Sequence, residues 1–194
     1  IGGLEQVAKK MAESLKETGH TVSVVTFVVN GTTPGTTNEN GITVHRVSGW
    51  NFFDTHFGIP FPLGGVGLIR RMQKEVRNAD AVHLHDVFYQ TSWIAYLWAR
   101  FYGKPVVLTQ HVGMVAHTST LVMAIQKAVY ATIGTLIFRN IEKAIVYNKN
   151  VYAFLESYGV SKEKILELRN GIDIRAFTPL SPEEKKAKRT TLGL

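Results

Sequence analysis

Four short stretches of this chain carry residue types that can do chemistry. His83-Leu84-His85-Asp86 closes one apolar run, and Val106-Val107-Leu108-Thr109-Gln110-His111 closes another. Gly2-Gly3-Leu4-Glu5 opens a helical pattern, and Asn170-Gly171-Ile172-Asp173 follows a short apolar run near the other end. A histidine at a strand end can bond a substrate hydroxyl or phosphate in either charge state near neutral pH. The plain alternative is a loop histidine bonded for structure. Glycines ahead of a helix leave N–H groups free for an anion or a sugar hydroxyl, helped by the helix dipole; the plain alternative is an ordinary turn. Asn170-Gly171 is a tight-turn pair, and Asp173 is placed to bond local backbone amides.

Other chemistries fit less well. His83 and His85 share a strand face, and with Asp86 they raise the question of a metal. No third ligand is in local reach, and a buried strand leaves little room. His83 therefore reads as a packed core residue and His85 as one facing a cleft. His20, His45, His56 and His117 read as structural or exposed. Gly65-Val66-Gly67 has Arg70 where a dinucleotide loop needs a third glycine, and Pro60 and Pro62 precede it instead of a strand. The sequence contains no Walker loop, no Gly-x-Ser-x-Gly elbow and no His-Glu-x-x-His.

The elements that must position these residues follow from periodicity. Leu4, Val7, Ala8, Met11 and Leu15 recur at helical spacing, with Gly19 as the C-terminal cap. Thr21 to Val29 is β-branched and nearly continuously apolar, as in a strand buried on both faces of a parallel sheet. Asn30 to Gly41 is a Gly/Thr/Asn-rich loop, and Ile42 to Val47 a short strand. Trp50 to Pro62 lacks a clean period and reads as an irregular loop. Helices are expected over Leu63 to Val76, Tyr89 to Tyr102, Ser119 to Arg139 and Lys149 to Ser157. Strands are expected over Ala79 to His85, Pro105 to Gln110, Ala144 to Tyr147 and Ile165 to Leu168. Ser181 to Arg189 reads as a capped, charged helix with Pro182 in its first turn.

Such alternation means βαβ units in a mainly parallel sheet with helices on both faces, a Rossmann-like doubly wound α/β fold. Ligands of such sheets bind at the carboxyl ends of strands. That rule selects His85 and Asp86, His111 and Gly113, Tyr147 and Asn148, and Asn170 to Asp173. A helix opening on Gly-Gly normally follows a strand, so one strand is expected upstream of Ile1. The organisation read here is one domain over residues 1–180 and a linker helix over 181–194.

Composition bounds the rest. With 194 residues, 45% hydrophobic and 19% charged, the chain can bury a core. There are no cysteines, which excludes disulfides and fits a reducing cytosol. The net charge of +7 favours anionic partners: phosphorylated sugars, nucleotides or acidic lipid surfaces. The basic residues are dispersed and form no nucleic-acid-binding module. Trp50, Phe52, Phe53, Phe57 and Phe61, followed by a basic helix, could touch a membrane or a lipid-linked acceptor. The Ser119 to Arg139 segment is near bilayer length, but Gln126 and Lys127 lie mid-segment, so burial against the sheet is the expectation over membrane contact.

In order and spacing, these motifs resemble the group 1 (family 4) glycosyltransferases. Gly2 to Glu5 and Gly19 to Thr26 resemble that family's opening, Ala79 to Asp86 its central strand, and Pro105 to His111 its histidine-bearing strand. Asn170 to Asp173, with Phe177 and Pro179, resembles the last segment of its N-terminal domain. The resemblance implies a GT-B architecture of two Rossmann-like domains facing a cleft, with this chain as the acceptor-binding one. It implies that Gly2 and Gly3 meet donor phosphates or acceptor, that His111 contacts the transferred sugar, and that Asn170, Gly171 and Asp173 face the cleft. Tyr147-Asn148 stands where the family has a small serine.

The expectation for function is thus the N-terminal half of a retaining glycosyltransferase. It would move a sugar from a nucleoside-diphosphate sugar to a hydroxyl acceptor without metal or other cofactor, with His111 as the catalytic residue. Gly2, Gly3, Glu5, His85, Asp86, Gly113, Asn170, Gly171 and Asp173 would bind donor or acceptor. Its partner would be its own C-terminal, donor-binding domain, where the family's basic phosphate pair belongs. The isolated chain is expected to be inactive and cytoplasmic, with a peripheral contact to the inner membrane face as a further expectation. The alternative is a binding-only domain for sugar phosphates or anionic lipid heads.

Overall fold

The computed structural model describes residues 3–28, 33–57, 61–168, 171 and 179–193. Gly2, Asn170, Asp173 and Phe177, named above, lie outside them. In chain order the elements begin with α1 (Gly3–Glu17), β1 (Ser23–Phe27), β2 (Gly35–Glu39), β3 (Ile42–Val47), β4 (Gly49–Trp50) and α2 (Phe52–Phe57). They continue with β5 (Leu63–Gly64), α3 (Val66–Asn78), β6 (Val82–His85), α4 (Gln90–Phe101) and β7 (Val106–Gln110). Next come α5 (Thr120–Val129), a π-helical turn (Tyr130–Gly134), α6 (Thr135–Asn140), β8 (Lys143–Val146) and α7 (Lys149–Ser157). A 3-10 turn (Lys162–Lys164), β9 (Ile165–Glu167) and α8 (Pro182–Thr191) complete the order.

Strands β6-β7-β8-β9 form a parallel four-stranded sheet flanked by helices, as the alternation requires. Side-chain alternation along a strand gives it two unlike faces. Val82, Leu84, Val106, Leu108, Ala144 and Val146 line one face and are almost wholly buried. They form one core cluster with Ala95, Tyr96 and Ala99 of α4, Ile137 and Phe138 of α6, and Leu155 of α7. The opposite face carries His83, His85, Val107 and Ile145, all only half-buried.

The first sheet is smaller, with β1 parallel to β3 and β2 antiparallel to it. β1 is half-buried, not buried on both faces as its apolar run suggested, because only β3 pairs with it among the described residues. The expected loop over 30–41 contains β2. Asn40 and Gly41 both adopt positive φ, at 54° and 82°, the conformation of a two-residue hairpin turn. Its five residues are exposed, so no apolar alternation announced the strand. Two further differences lie between β3 and α3. The Trp50 to Pro62 stretch contains the short helix α2, and β5 pairs with β4 ahead of α3.

Several caps match their sequence signatures. Gly19, Gly103 and Gly159 close α1, α4 and α7 with φ of 94°, 64° and 85°, where a side chain would be strained. Ser181 and Glu184 form a reciprocal capping box at α8, with Pro182 in the first turn.

Residues 120–140 run as one apolar helical stretch through the π turn, and its burial differs from expectation. Only 33% of its most apolar 18-residue window is buried. Val122, Gln126, Tyr130, Gly134, Ile137 and Phe138 face the protein, whereas Leu121, Ile125 and Leu136 are exposed. A helix laid along one side of a sheet buries one stripe, and the outer face of this one carries Leu121, Ile125 and Leu136 beside Lys127.

Candidate functional site

The site is assembled at the carboxyl ends of β6, β7 and β8. Strand pairing sets His85 opposite Thr109, and Thr109 opposite Ile145. His85, His111 and Tyr147 therefore leave the sheet on its histidine side. His85 Nδ1 lies 3.2 Å from His111 Nε2. Their rings are 5.5 Å apart and nearly parallel, at 29°. His83 stacks behind His85 at 4.7 Å, and its Nε2 lies 2.8 Å from the Thr109 hydroxyl. The Tyr147 ring stands 5.4 Å from His111 on the other side.

Burial keeps this array neutral near pH 7. It pushes His83 down to about 4 and His85 down to about 3, with neighbouring histidines adding to the effect. His111 is also lowered by burial, and the Glu5 carboxylate opposes that shift. Glu5 is exposed in the first turn of α1, so α1 places a negative charge near His111. Gly3 starts that helix, and a Cβ there would meet nothing within 4 Å.

The other side of the strand ends carries a clamp. Asp86 is 2% exposed and adopts a left-handed φ of 61°, a conformation that aspartate tolerates better than most residues. Its Oδ1 accepts from the Gln110 amide and from the His111 backbone N–H. Burial pushes the Asp86 carboxyl up to about 7, outweighing the backbone N–H groups of His111 and Val112 that pull it down. Gln110 uses its whole amide: it also donates to the Val112 carbonyl and accepts from the Val87 N–H. Ser92 Oγ donates to the Asp86 carbonyl and Trp93 Nε1 to that of Val87, at 2.6 and 2.7 Å.

The loop after His111 is held further along. Gln126 donates to the Val115 carbonyl and accepts from its N–H, at 2.9 and 3.0 Å. The Tyr130 hydroxyl donates to the Gly113 carbonyl at 3.3 Å. Gly113 lies close to the core: a Cβ there would come within 3.2 Å of the Phe154 ring, which would have to give by a few tenths of an ångström.

Of the residues selected from sequence, His85 and His111 are brought together, with Asp86 directly beneath and Glu5 near enough to act on His111, whereas Gly113 lies two residues further on, against Phe154 and Tyr130. Asn148 is the N-terminal cap of α7, accepting from the Val151 N–H at 2.9 Å. Gly171 is exposed. Gln110, Gln126 and Tyr130 were not anticipated. A buried glutamine beside a strand-end histidine, and a lone glutamine in an apolar helix, were the available signals. Among the described residues no group of three or more His, Asp or Glu side chains has the arrangement of a metal site. The arrangement offers a neutral imidazole for hydrogen bonding, on a loop whose backbone is fixed from below.

A family model described as Glycosyltransferase Family 4 matches residues 1–176. A comparison with curated proteins finds no match.

Proposed function

The chain belongs to Glycosyltransferase Family 4, and from that premise we propose that it is the acceptor-facing domain of a retaining GT-B glycosyltransferase. The reaction moves a sugar from a nucleoside-diphosphate sugar to an acceptor hydroxyl. The bond between the anomeric carbon and the diphosphate breaks, a bond to the acceptor oxygen forms with the same anomeric configuration, and the hydroxyl proton departs. The observation that carries the assignment is the neutral His111 imidazole, held between His85 and Tyr147 at the carboxyl end of a parallel sheet. Such a group positions a sugar hydroxyl or the acceptor by hydrogen bonding and needs no charge change to do so. Glu5, Gly3 and Gly113 join it in facing the ligands. Stabilisation of the leaving diphosphate falls to a second, donor-binding domain on the cytoplasmic side of the membrane.

The test is nucleoside-diphosphate release from a panel of sugar nucleotides, by the two-domain parent and by this chain alone. Release by the parent only is expected, with a loss of roughly 100-fold in His111→Ala. Turnover by the chain alone would overturn the division of labour. Parent turnover unaffected by His111→Ala would overturn the role of His111. No release by the parent from any donor would favour a domain that binds sugar phosphates without transfer.

A second reading concerns the acceptor's surroundings. Leu121 and Leu136 are 60% and 47% exposed, Trp50 is 62% exposed, and the chain carries a net charge of +7. These favour peripheral contact with an anionic bilayer bearing the acceptor. Sedimentation with anionic vesicles, weakened by salt and by Leu121→Glu, is the expected outcome. Equal recovery with neutral vesicles would remove the electrostatic part.

A further inference from the structure

We propose that His85 is a positioning residue that fixes the tautomer of His111, so that His111 presents an N–H, from Nδ1, to its ligand. The inference rests on the reading of His111 as the ligand-contacting imidazole. Its basis is the contact between the two rings. His85 Nδ1 and His111 Nε2 are 3.2 Å apart, and a pair of neutral imidazoles can bond at that distance only if one nitrogen carries a proton and the other does not. Two protonated rings would set N–H against N–H. The pair therefore shares one proton, and its position decides which nitrogen of His111 is protonated.

One observation holds the pair in place and two favour donation by His85. His83 is anchored through the Thr109 hydroxyl and stacks on His85, so the His85 ring is held between two others and cannot turn away. His85 Nε2 has no protein partner among the described residues. Donation from Nδ1 leaves a lone pair there, and an acceptor without a protein partner is tolerated more readily than a donor without one. Lastly, the Glu5 carboxylate acts on His111 from the start of α1, and a negative charge favours an N–H on the part of the ring not engaged by His85. His111 then holds its proton on Nδ1, the less common form of a free neutral histidine side chain, and acts toward the ligand as a hydrogen-bond donor. A donor at this point selects ligand groups with a free lone pair, such as a sugar hydroxyl or ring oxygen, and gives His111 no role as a base.

Nitrogen NMR of the chain labelled with 15N-histidine reads the tautomer directly. The expected spectrum near neutral pH shows His111 protonated at Nδ1. In His85→Phe, which keeps a ring in the stack but donates nothing, His111 reverts to the Nε2-protonated form. In His85→Asn, whose amide still donates, the Nδ1 form persists. Nε2 protonation of His111 in the unmodified chain overturns the proposal, and that result needs no variant to fold. An unchanged tautomer in folded His85→Phe overturns it as well. Sugar transfer by the parent separates the two readings. Full activity in His111→Ala removes the functional role and leaves the tautomer result standing, whereas an Nε2-protonated His111 whose loss abolishes transfer does the reverse.

Discussion

The two faces of the four-stranded sheet are built from the same strands and obey different rules. On one face Val82, Leu84, Val106, Leu108, Ala144 and Val146 are packed under helices and almost fully dry. On the other, His83 and His85 alternate with them, half-buried, bonded to Thr109 and His111. The aliphatic face supplies stability in proportion to the area it removes from water. The histidine face contributes little of that and holds neutral polar groups in one arrangement. Beyond the strand ends the division continues. Asp86 and Gln110 pass to the aliphatic side and become a buried clamp, whereas His111 and Tyr147 pass to the other and line the site. A strand two residues out of phase would preserve both roles; one residue out of phase would exchange them.

The sharpest way to break the contrast is a pair of truncations at neighbouring positions of β7. Leu108→Ala empties a fully buried site and should cost about 2–5 kcal/mol in denaturant unfolding. Val107→Ala, on the half-buried face, should cost under about 1.5 kcal/mol. Equal costs would show that the histidine face is packed as tightly as its opposite.

The clamp comes next in size. Gln126→Leu removes both partners of Val115, which is 53% exposed and open to water, a loss of about 0.5–1.5 kcal/mol per bond. Hydrogen exchange should rise at residues 113–115 while β6 and β7 stay protected. Uniform loss of protection would mean that the loop and the sheet unfold together.

Acid titration separates the faces by sign. His83 and His85 bind protons less tightly folded than unfolded. Their contribution is complete above about pH 6.5 and is lost as pH falls toward about 4 and 3. Asp86 binds its proton more tightly folded. Its contribution is complete below about pH 3.8 and is lost as pH rises through about 7. Two histidines oppose one acid between pH 6.5 and 4, so the melting temperature should fall with acidification. His83→Gln should flatten that fall and Asp86→Asn should steepen it. The smallest effect belongs to exposed Lys143 on the same sheet, whose ammonium bonds the Glu163 carbonyl. Its replacement by Gln should shift the melting curve by no more than about 0.5 kcal/mol.

Much of this was legible in the residues. The spacing His83-x-His85 marks a shared face, and Gly103 and Gly159 mark helix ends. The run 106–110 marks a strand with His111 just past it. The hairpin of β2 and β3 is announced by Asn40-Gly41 alone, because Thr36, Thr37 and Asn38 are exposed and give the strand no apolar face. The clamp could not be read. Gln110 bonds Asp86, 24 residues away, and Gln126 bonds Val115. Both depend on inter-strand register and on where a helix lands. The contact of His85 with His111 has the same origin, since only the pairing of His85 with Thr109 brings the rings together.

The wide turn at Tyr130–Gly134 carries one more consequence. Inward residues of this helix recur every four positions, at 122, 126, 130, 134 and 138. A regular helix repeats every 3.6 residues, so a four-residue stripe slips sideways by roughly 40° at each step. The π turn takes up extra chain in a single revolution and cancels the accumulated slip, as a leap day corrects a calendar. Regular winding through the same residues, with no wide turn, would rotate everything upstream by roughly 100° relative to α6. Gln126 would swing off Val115, and the loop carrying His111 would lose its tether with every one of those side chains still present in the sequence.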